Sequence, residues 1–342
     1  MKDIKSFSLK ELKEEIRAFG EKEFRAAQLY EWIHKKLAVS YEEMTNLPGA
    51  FREKLSQEYY LNALHMVREQ VSGQDGTRKY LFQLADGNLI ETVLMKYHHG
   101  NSVCISSQVG CRMGCRFCAS TLDGLERSLT ASEMLEQVYE VTRRIGERIS
   151  NVVVMGMGEP LDNYDNLLKF LRMISDENGL NISQRNLTVS TCGLVPGMRR
   201  LADEKLQITL ALSLHAVTDE KRREIMPVAN RYGIAELMEA CAYYFEQTGR
   251  RITFEYSLIG GVNDSEGEAD ALAGLASPLH AHVNLIPVNP VKERGYQASK
   301  RTSVERFKNR LEKRNINVTV RREMGRDIDG ACGQLRRKKL GT

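Results

Sequence analysis

Long apolar runs are missing from this chain of 342 residues. No stretch reaches the roughly 18 residues that suggest a membrane-spanning helix, so a membrane span is not expected. The opening Met1-Lys-Asp-Ile-Lys-Ser-Phe-Ser8 is charged and lacks the apolar segment of a secretory signal. Seven cysteines without such a signal argue against a secreted disulfide scaffold and for a reducing, cytoplasmic setting. A strong charge of one sign is also absent. The balance of 49 basic and 45 acidic residues leaves a net charge of +4, which decides nothing alone. Its distribution is less even, because Arg321, Arg322, Arg326, Arg336, Arg337, Lys338 and Lys339 crowd the C-terminal end. Such a cluster suits phosphate contacts or a solvated tail. No internal repeat or low-complexity tract is present. At this length, one large domain with a small companion is the expected organisation.

What is present is a tight group of thiols. Cys111, Cys115 and Cys118 stand in Cys111-Arg-Met-Gly-Cys115-Arg-Phe-Cys118, a C-x3-C-x2-C spacing. Thiolates are soft ligands suited to zinc or to iron–sulfur iron. Structural zinc asks for a closed set of four ligands, usually as two separated pairs, and no second pair follows. A [4Fe–4S] cube capped by three cysteines keeps its fourth iron open to a small molecule. The spacing matches the radical S-adenosylmethionine (SAM) enzymes, in which that iron chelates the amino and carboxylate groups of SAM. A Cys3His zinc site, or three buried structural thiols, is the alternative.

Hydrophobic spacing divides the chain. Leu9, Leu12, Ile16 and Phe19, then Phe24, Ala27, Leu29, Trp32 and Ile33, keep a helical period, and a further short helix runs through Phe51 and Leu55. Residues 1–75 therefore read as a helical accessory domain. Tyr80–Leu84 and Leu89–Lys96 flank Ala85-Asp-Gly-Asn88, a hairpin signal within 76–100. From 101 to 342, apolar strands alternate with helices, beginning with a helix opened by the capping box Thr130-Ala-Ser-Glu133. About six such units predict an α/β fold: a partial (β/α)6 barrel, with a doubly wound open sheet as the other possibility.

In a parallel barrel the active groups collect where strands end. Gly156-Met-Gly158-Glu159-Pro160 follows one strand, and Glu159 is placed to accept from the amino group of SAM. Ser190 and Thr191 end the next, Ser213-Leu214-His215 the one after, and Asn289 follows Ile286-Pro-Val. Four cysteines remain. Cys241 shares an apolar helical face with Leu237 and Phe245, and Cys192 suits packing. Cys104 ends a strand seven residues before the cluster motif, and Cys332 sits in the glycine-flanked Asp327-Ile-Asp-Gly330-Ala-Cys332-Gly333. Two thiols outside the cluster suggest either covalent work or inert burial.

Five segments in order carry a resemblance: Cys104-Ile-Ser-Ser-Gln-Val-Gly-Cys111, Gly156-Met-Gly-Glu159-Pro160, Ser213-Leu-His215, Asn284-Leu-Ile-Pro287-Val-Asn289-Pro290 and Asp327-Ile-Asp-Gly-Ala-Cys332-Gly-Gln-Leu335. From about Leu89 to Leu335 the chain resembles the RlmN/Cfr family of radical SAM RNA methyltransferases. Its helical beginning resembles the family's RNA-binding accessory domain more loosely.

The resemblance implies a transferase using a [4Fe–4S] cluster on Cys111, Cys115 and Cys118. It also implies two SAM molecules per turnover, bound by Gly158, Glu159, Ser190, Ser213, Leu214, His215 and Asn289. One SAM methylates Cys332; radical cleavage of the second activates that methyl group, which adds to an unreactive adenine carbon. Glu91 matches the family's proposed base, and Cys104 attacks Cys332 to release product with a transient disulfide. The implied substrates are adenosine 2503 of 23S rRNA and adenosine 37 of tRNAs, presented as splayed-out bases. An electron donor such as flavodoxin or ferredoxin is implied as a further partner.

Pro160 and Pro287 resemble the group that methylates adenine C2, whereas the antibiotic-resistance group acts at C8 and tends to differ at both places. Met95-Lys96-Tyr97 occurs in both groups, and Gly330 stands where many relatives carry alanine. Two readings of other classes stay open. One is a non-catalytic RNA-binding or redox protein with zinc, and the other is a radical SAM sulfur insertion, which would need a second cysteine motif.

Overall fold

The structure, a computed structural model, describes residues 1–288, 295–322, 324–325, 327–328 and 334–340. β1 (Lys2–Asp3) leads into a helical module. α1 (Leu9–Ala18) opens on a capping box of Ser8 with Glu11 and buries Leu12 and Ile16. α2 (Phe24–His34) buries Ala26, Leu29, Tyr30 and Ile33, and α3 (Gly49–Glu58) buries Phe51 and Leu55. β2 (Tyr59–Tyr60) then pairs in parallel with β1, so the module closes on its own start. Its inner side carries buried polar groups that need partners, and the barrel supplies them. Lys5 Nζ lies 2.8 Å from a Glu136 carboxylate oxygen, and His34 Nδ1 lies 2.8 Å from the Tyr139 hydroxyl.

The sheet begins earlier than the hydrophobic pattern suggests. β3 (His65–Val71), in the stretch assigned to the helical module, pairs antiparallel with β4 (Arg78–Gln83). β5 (Leu89–Tyr97) and β6 (Gly100–Cys104) continue the meander. The expected hairpin is thus part of a four-stranded unit. β3 escapes notice because its residues are half-exposed on both faces, which erases the alternation. A short ribbon, β7 (Gln108–Gly110) with β8 (Leu125–Ser128), brackets the cysteine motif.

The alternating part follows: α4 (Ala131–Ile145), β9 (Ile149–Val154), α5 (Tyr164–Ile174), β10 (Leu187–Thr191), α6 (Val195–Asp203) and β11 (Thr209–Ser213). Then come α7 (Asp219–Ile225), α8 (Ile234–Thr248), β12 (Thr253–Leu258), α9 (Glu266–Ala276), β13 (His282–Pro287), α10 (Arg301–Lys313), β14 (Asn317–Val320) and α11 (Gln334–Leu340). The ten strands lie in the order β14-β13-β12-β11-β10-β9-β6-β5-β4-β3. β6 and β9 to β14 are parallel, so the partial (β/α)6 barrel is the observed architecture.

Laid flat, strands β14 and β3 would stand roughly 40 Å apart at about 4.8 Å per strand. They do not, because the chain beyond β14 reaches the turn beyond β3. The Asp327 carboxylate accepts from Ser72 Oγ at 2.6 Å and from Gly73 N–H at 2.8 Å, and Gly325 N–H donates to Asp75 at 2.9 Å. The sheet therefore curls, and its concave side gathers the strand ends.

One expectation about a helix face is corrected. Cys241 is buried in α8 as expected, but Phe245 is 41% exposed. The buried stripe runs Leu237, Cys241, Tyr244, Thr248, which follows the 3.6-residue turn more closely than a strict four-residue step.

Candidate radical SAM site

The cysteine loop is pinned at its base by glycine. Gly110 has φ +77°, and a Cβ there would lie 2.0 Å from the Gly124 carbonyl oxygen, which accepts from Cys111 N–H at 2.8 Å. Within the loop, Thr121 Oγ1 donates to the Cys115 and Cys118 carbonyls, each at 3.0 Å. The thiols of Cys111, Cys115 and Cys118 line one cleft at the C-terminal ends of the parallel strands. Burial pushes the Cys111 thiol up to about 12 and Cys115 further. Thiols so desolvated become thiolates only beside a cation such as a bound metal.

The opposite wall comes from the turn after β9. Glycine is required there by contact: a Cβ on Gly156 would sit 2.6 Å from the Ile105 carbonyl oxygen, and one on Gly158 (φ +103°) 2.6 Å from Gln108 Cβ. The turn thus packs directly on the strand that enters the cysteine loop, with Ser107 N–H donating to the Met157 carbonyl at 2.8 Å. Glu159 follows, almost wholly buried. Its two carboxylate oxygens accept from Leu161 N–H at 3.0 Å and Cys192 N–H at 2.7 Å. Desolvation raises its carboxyl above the usual range, against those backbone donors.

Ser190 and Ser213 end neighbouring strands with their hydroxyls 3.3 Å apart. His215 adopts φ +56°, a region rarely used by a residue with a side chain. Asn263 holds it there by donating to the His215 and Ser257 carbonyls, each at 2.7 Å. Ser257 N–H donates to His215 Nδ1 at 2.9 Å, so in the neutral ring the proton sits on Nε2. Burial pushes this imidazole down to about 3. Phe117 of the cysteine loop packs edge-on against it, with ring centroids 4.9 Å apart.

Cys104 and Glu91 lie on the neighbouring strands, apart from the residues that line the cleft. Cys104 pairs with Val93 across β5 and β6, which puts Glu91, two residues earlier, on the same face. Glu91 is buried rather than solvent-facing and ion-pairs with buried Lys79 at 2.9 Å. Its Oε1 accepts from Arg336 N–H at 2.7 Å, which sets α11 against this carboxylate. Burial pushes the Cys104 thiol up, while Arg321 and Lys79 pull it back.

The fold thus gathers Cys111, Cys115, Cys118, Gly158, Glu159, Ser190, Ser213 and His215 around one cleft. Leu214 is not among them. It is buried in the core, its N–H donating to the Glu255 carbonyl at 3.0 Å and its own carbonyl accepting from Arg222. Asn289 and Cys332 lie outside the described residues. Cys192 packs as expected, yet also lines the cleft.

Several supporting residues escaped the sequence. Gln137, wholly buried in α4, accepts from Ser106 N–H at 2.8 Å and from Thr92 Oγ1 at 2.9 Å. Asn263 and Arg222 likewise act through backbone carbonyls, which no spacing announces. Lys79 had a usable signal, a lysine directly before the apolar run Tyr80–Leu84 with a glutamate in the following strand.

Among the described residues no three His, Cys, Asp or Glu side chains converge on a single ion. Three thiols spread along one cleft, with carboxylate, hydroxyl and imidazole groups facing them, instead fit a polynuclear cluster carrying an amino-acid ligand.

Residues 105–273 match the Radical SAM superfamily, and residues 2–61 match the ribosomal RNA large subunit methyltransferase N-terminal domain. A protein of Lachnospira eligens, named as a probable dual-specificity RNA methyltransferase RlmN, is 62% identical over 340 residues, covering 99% of this chain and 97% of that one. Its counterpart in Clostridium novyi is 53% identical, covering 99% of each. The crystal structure of a radical SAM methyltransferase from Sphaerobacter thermophilus superposes with a TM-score of 0.93 at 46% identity, covering 98% of this chain and 99% of that one. The cofactors of this superfamily are a [4Fe–4S] cluster and SAM. With relatives this similar over almost its whole length, the chain belongs to the RlmN family of radical SAM RNA methyltransferases.

Proposed function

We propose that this enzyme methylates adenine C2, in 23S rRNA at the peptidyl-transferase centre and in tRNA beside the anticodon. Cys111, Cys115 and Cys118 hold the cluster, Cys332 carries the methyl group, Cys104 releases the product and Glu91 takes the ring proton. When bound, the cluster supplies the electron that cleaves SAM. An external one-electron donor of the flavodoxin or ferredoxin class delivers it, which suits a reducing, cytoplasmic setting. No helix among the described residues is long and apolar enough to cross a membrane.

The observation that carries this reading is the sharing of one strand end. β6 finishes at Cys104, and the same backbone runs through β7 into the cysteine loop. The residues then have separable tasks. Glu159, Ser190 and Ser213 offer acceptors and hydroxyls for the amino-acid and ribose parts of SAM, and the neutral His215 ring offers its Nε2–H. The C2 reading over C8 is supported by relatives named as dual-specificity RlmN and by Pro160 and Pro287. For release, the Cys104 sulfur attacks the Cys332 sulfur. The S–S bond forms as the carbon–sulfur bond to the RNA-linked methylene breaks, and its electron pair leaves with carbon. The helical module carrying α1 to α3 and the cluster of C-terminal cations would supply phosphate contacts that position the RNA.

The test is anaerobic incubation of reconstituted protein with SAM, reductant and a 23S rRNA fragment, followed by nucleoside mass spectrometry. 2-Methyladenosine is the expected product, and 8-methyladenosine would overturn the C2 reading. Cys104→Ala should leave protein covalently trapped on RNA, whereas Cys332→Ala should give neither product nor adduct. Full product from either variant would refute the two-cysteine scheme.

A further inference from the structure

Arg222 is wholly buried in α7, and its partners are unusual for a buried cation. Nε donates to the Leu214 carbonyl at 3.2 Å, and Nη2 to the carbonyls of Cys192 at 2.6 Å and Ser213 at 3.4 Å. Nη1 has no hydrogen-bond partner. The other buried cations are treated differently: Lys5 has Glu136 and Lys79 has Glu91, each within 3 Å. Asp219, on the same helix, accepts through Oδ1 from Ile234 N–H at 2.8 Å. A guanidinium held in low dielectric without an anion costs several kcal/mol.

The helix carrying Arg222 lies against the cysteine loop. Arg116 N–H donates to the Ile225 carbonyl at 2.9 Å, and Met226 lines the cleft beside the three thiols. The thiols of Cys192 and Cys115 and the Asp219 carboxylate all act on the guanidinium electrostatically, although among the described residues no carboxylate lies within ion-pair distance of it.

We propose that Arg222 is the counter-cation of the cluster, offsetting the negative charge of the three thiolates with their [4Fe–4S] core and raising its reduction potential. This rests on the cluster assignment made above. The oxidised core, at 2+, gives a net charge of −1 with three thiolates. One electron from an external donor takes this to −2, with no bond made or broken. A fixed positive charge alongside favours the more negative state. The carbonyl contacts to Cys192, Ser213 and Leu214 make Arg222 report on the cleft wall as well, because they tie together the ends of β10 and β11.

The test uses full-length wild-type, Arg222→Gln and Arg222→Lys proteins, reconstituted anaerobically, with iron and sulfide determined. Potentials are then measured without SAM by a redox titration followed by electron paramagnetic resonance. At the wild-type midpoint, Arg222→Gln should lower the ratio of reduced to oxidised cluster at least about tenfold, 59 mV for a one-electron couple. Arg222→Lys should stay near the wild-type potential. A fully loaded Arg222→Gln protein with an unchanged potential would overturn the proposal. If that variant does not fold, Arg222→Lys decides: it keeps the charge and breaks the carbonyl fork, so a tenfold loss there assigns Arg222 a purely structural role. Wild-type protein that takes up no cluster would instead bring down the cluster assignment.

Discussion

Two walls of the same barrel treat buried polar groups in opposite ways. Around the cleft, the thiols of Cys111 and Cys115 and the Nη1 of Arg222 are buried without an ion pair among the described residues, so a bound group can supply the missing partner. On β4 to β6, Lys79 and Glu91 neutralise one another at 2.9 Å, and α11 adds a backbone donor. The first wall is built to receive a cofactor. The second is complete in itself and can be stable before any ligand arrives.

The largest expected effect is on the receiving wall. Cys115→Ala should abolish cluster binding and all methyl transfer while leaving the fold intact, read by iron content and circular dichroism; retained iron would break the contrast. Glu91→Gln comes next, because it removes the carboxylate that ion-pairs with the buried Lys79 ammonium at 2.9 Å. A loss of about 3–5 kcal/mol is expected in denaturant unfolding. A double variant with Lys79→Met should recover much of that stability without recovering activity.

Acidification should also separate the walls. Burial pushes His34 and His215 down to about 3, from an ordinary 6.5. The unfolded chain then binds more protons than the folded one between those values. Stability is complete above about pH 6.5 and declines as pH falls toward 3, by roughly 1.4 kcal/mol per pH unit for each ring. His215→Gln should flatten that slope in urea titrations at pH 4 to 6, and an unaltered slope would contradict burial of a neutral ring. Glu159→Gln is milder, about 1–3 kcal/mol for a carboxylate oxygen replaced by a donor facing another donor. It should also weaken SAM binding, measured by anaerobic calorimetry. Smallest is Arg321→Met, which removes a cation acting on Cys104; alkylation of that thiol at fixed pH should slow.

The receiving wall was the more legible of the two. Its cysteines carry a distinctive spacing, and the Gly156-Met-Gly158-Glu159 turn, both serines and His215 lie at or just beyond strand ends, which are visible where apolar runs stop. The paired wall was not, since the burial of Glu91 depends on Lys79 across a strand and on α11 more than 240 positions away in the chain. Leu214 shows the opposite error. It shares a motif with Ser213 and His215, but alternation turns it into the core while its neighbours face the cleft.

Local spacing by itself determined the cysteine motif, the helix caps and the alternation that makes a parallel sheet, because each depends on residues within one or two turns of chain. Only the tertiary structure decided which carboxylate is paired, which imidazole is kept neutral and that a guanidinium is buried without a direct ion pair. Those outcomes depend on desolvation and on partners brought together by the curl of the sheet, and neither is a property of any short stretch of sequence.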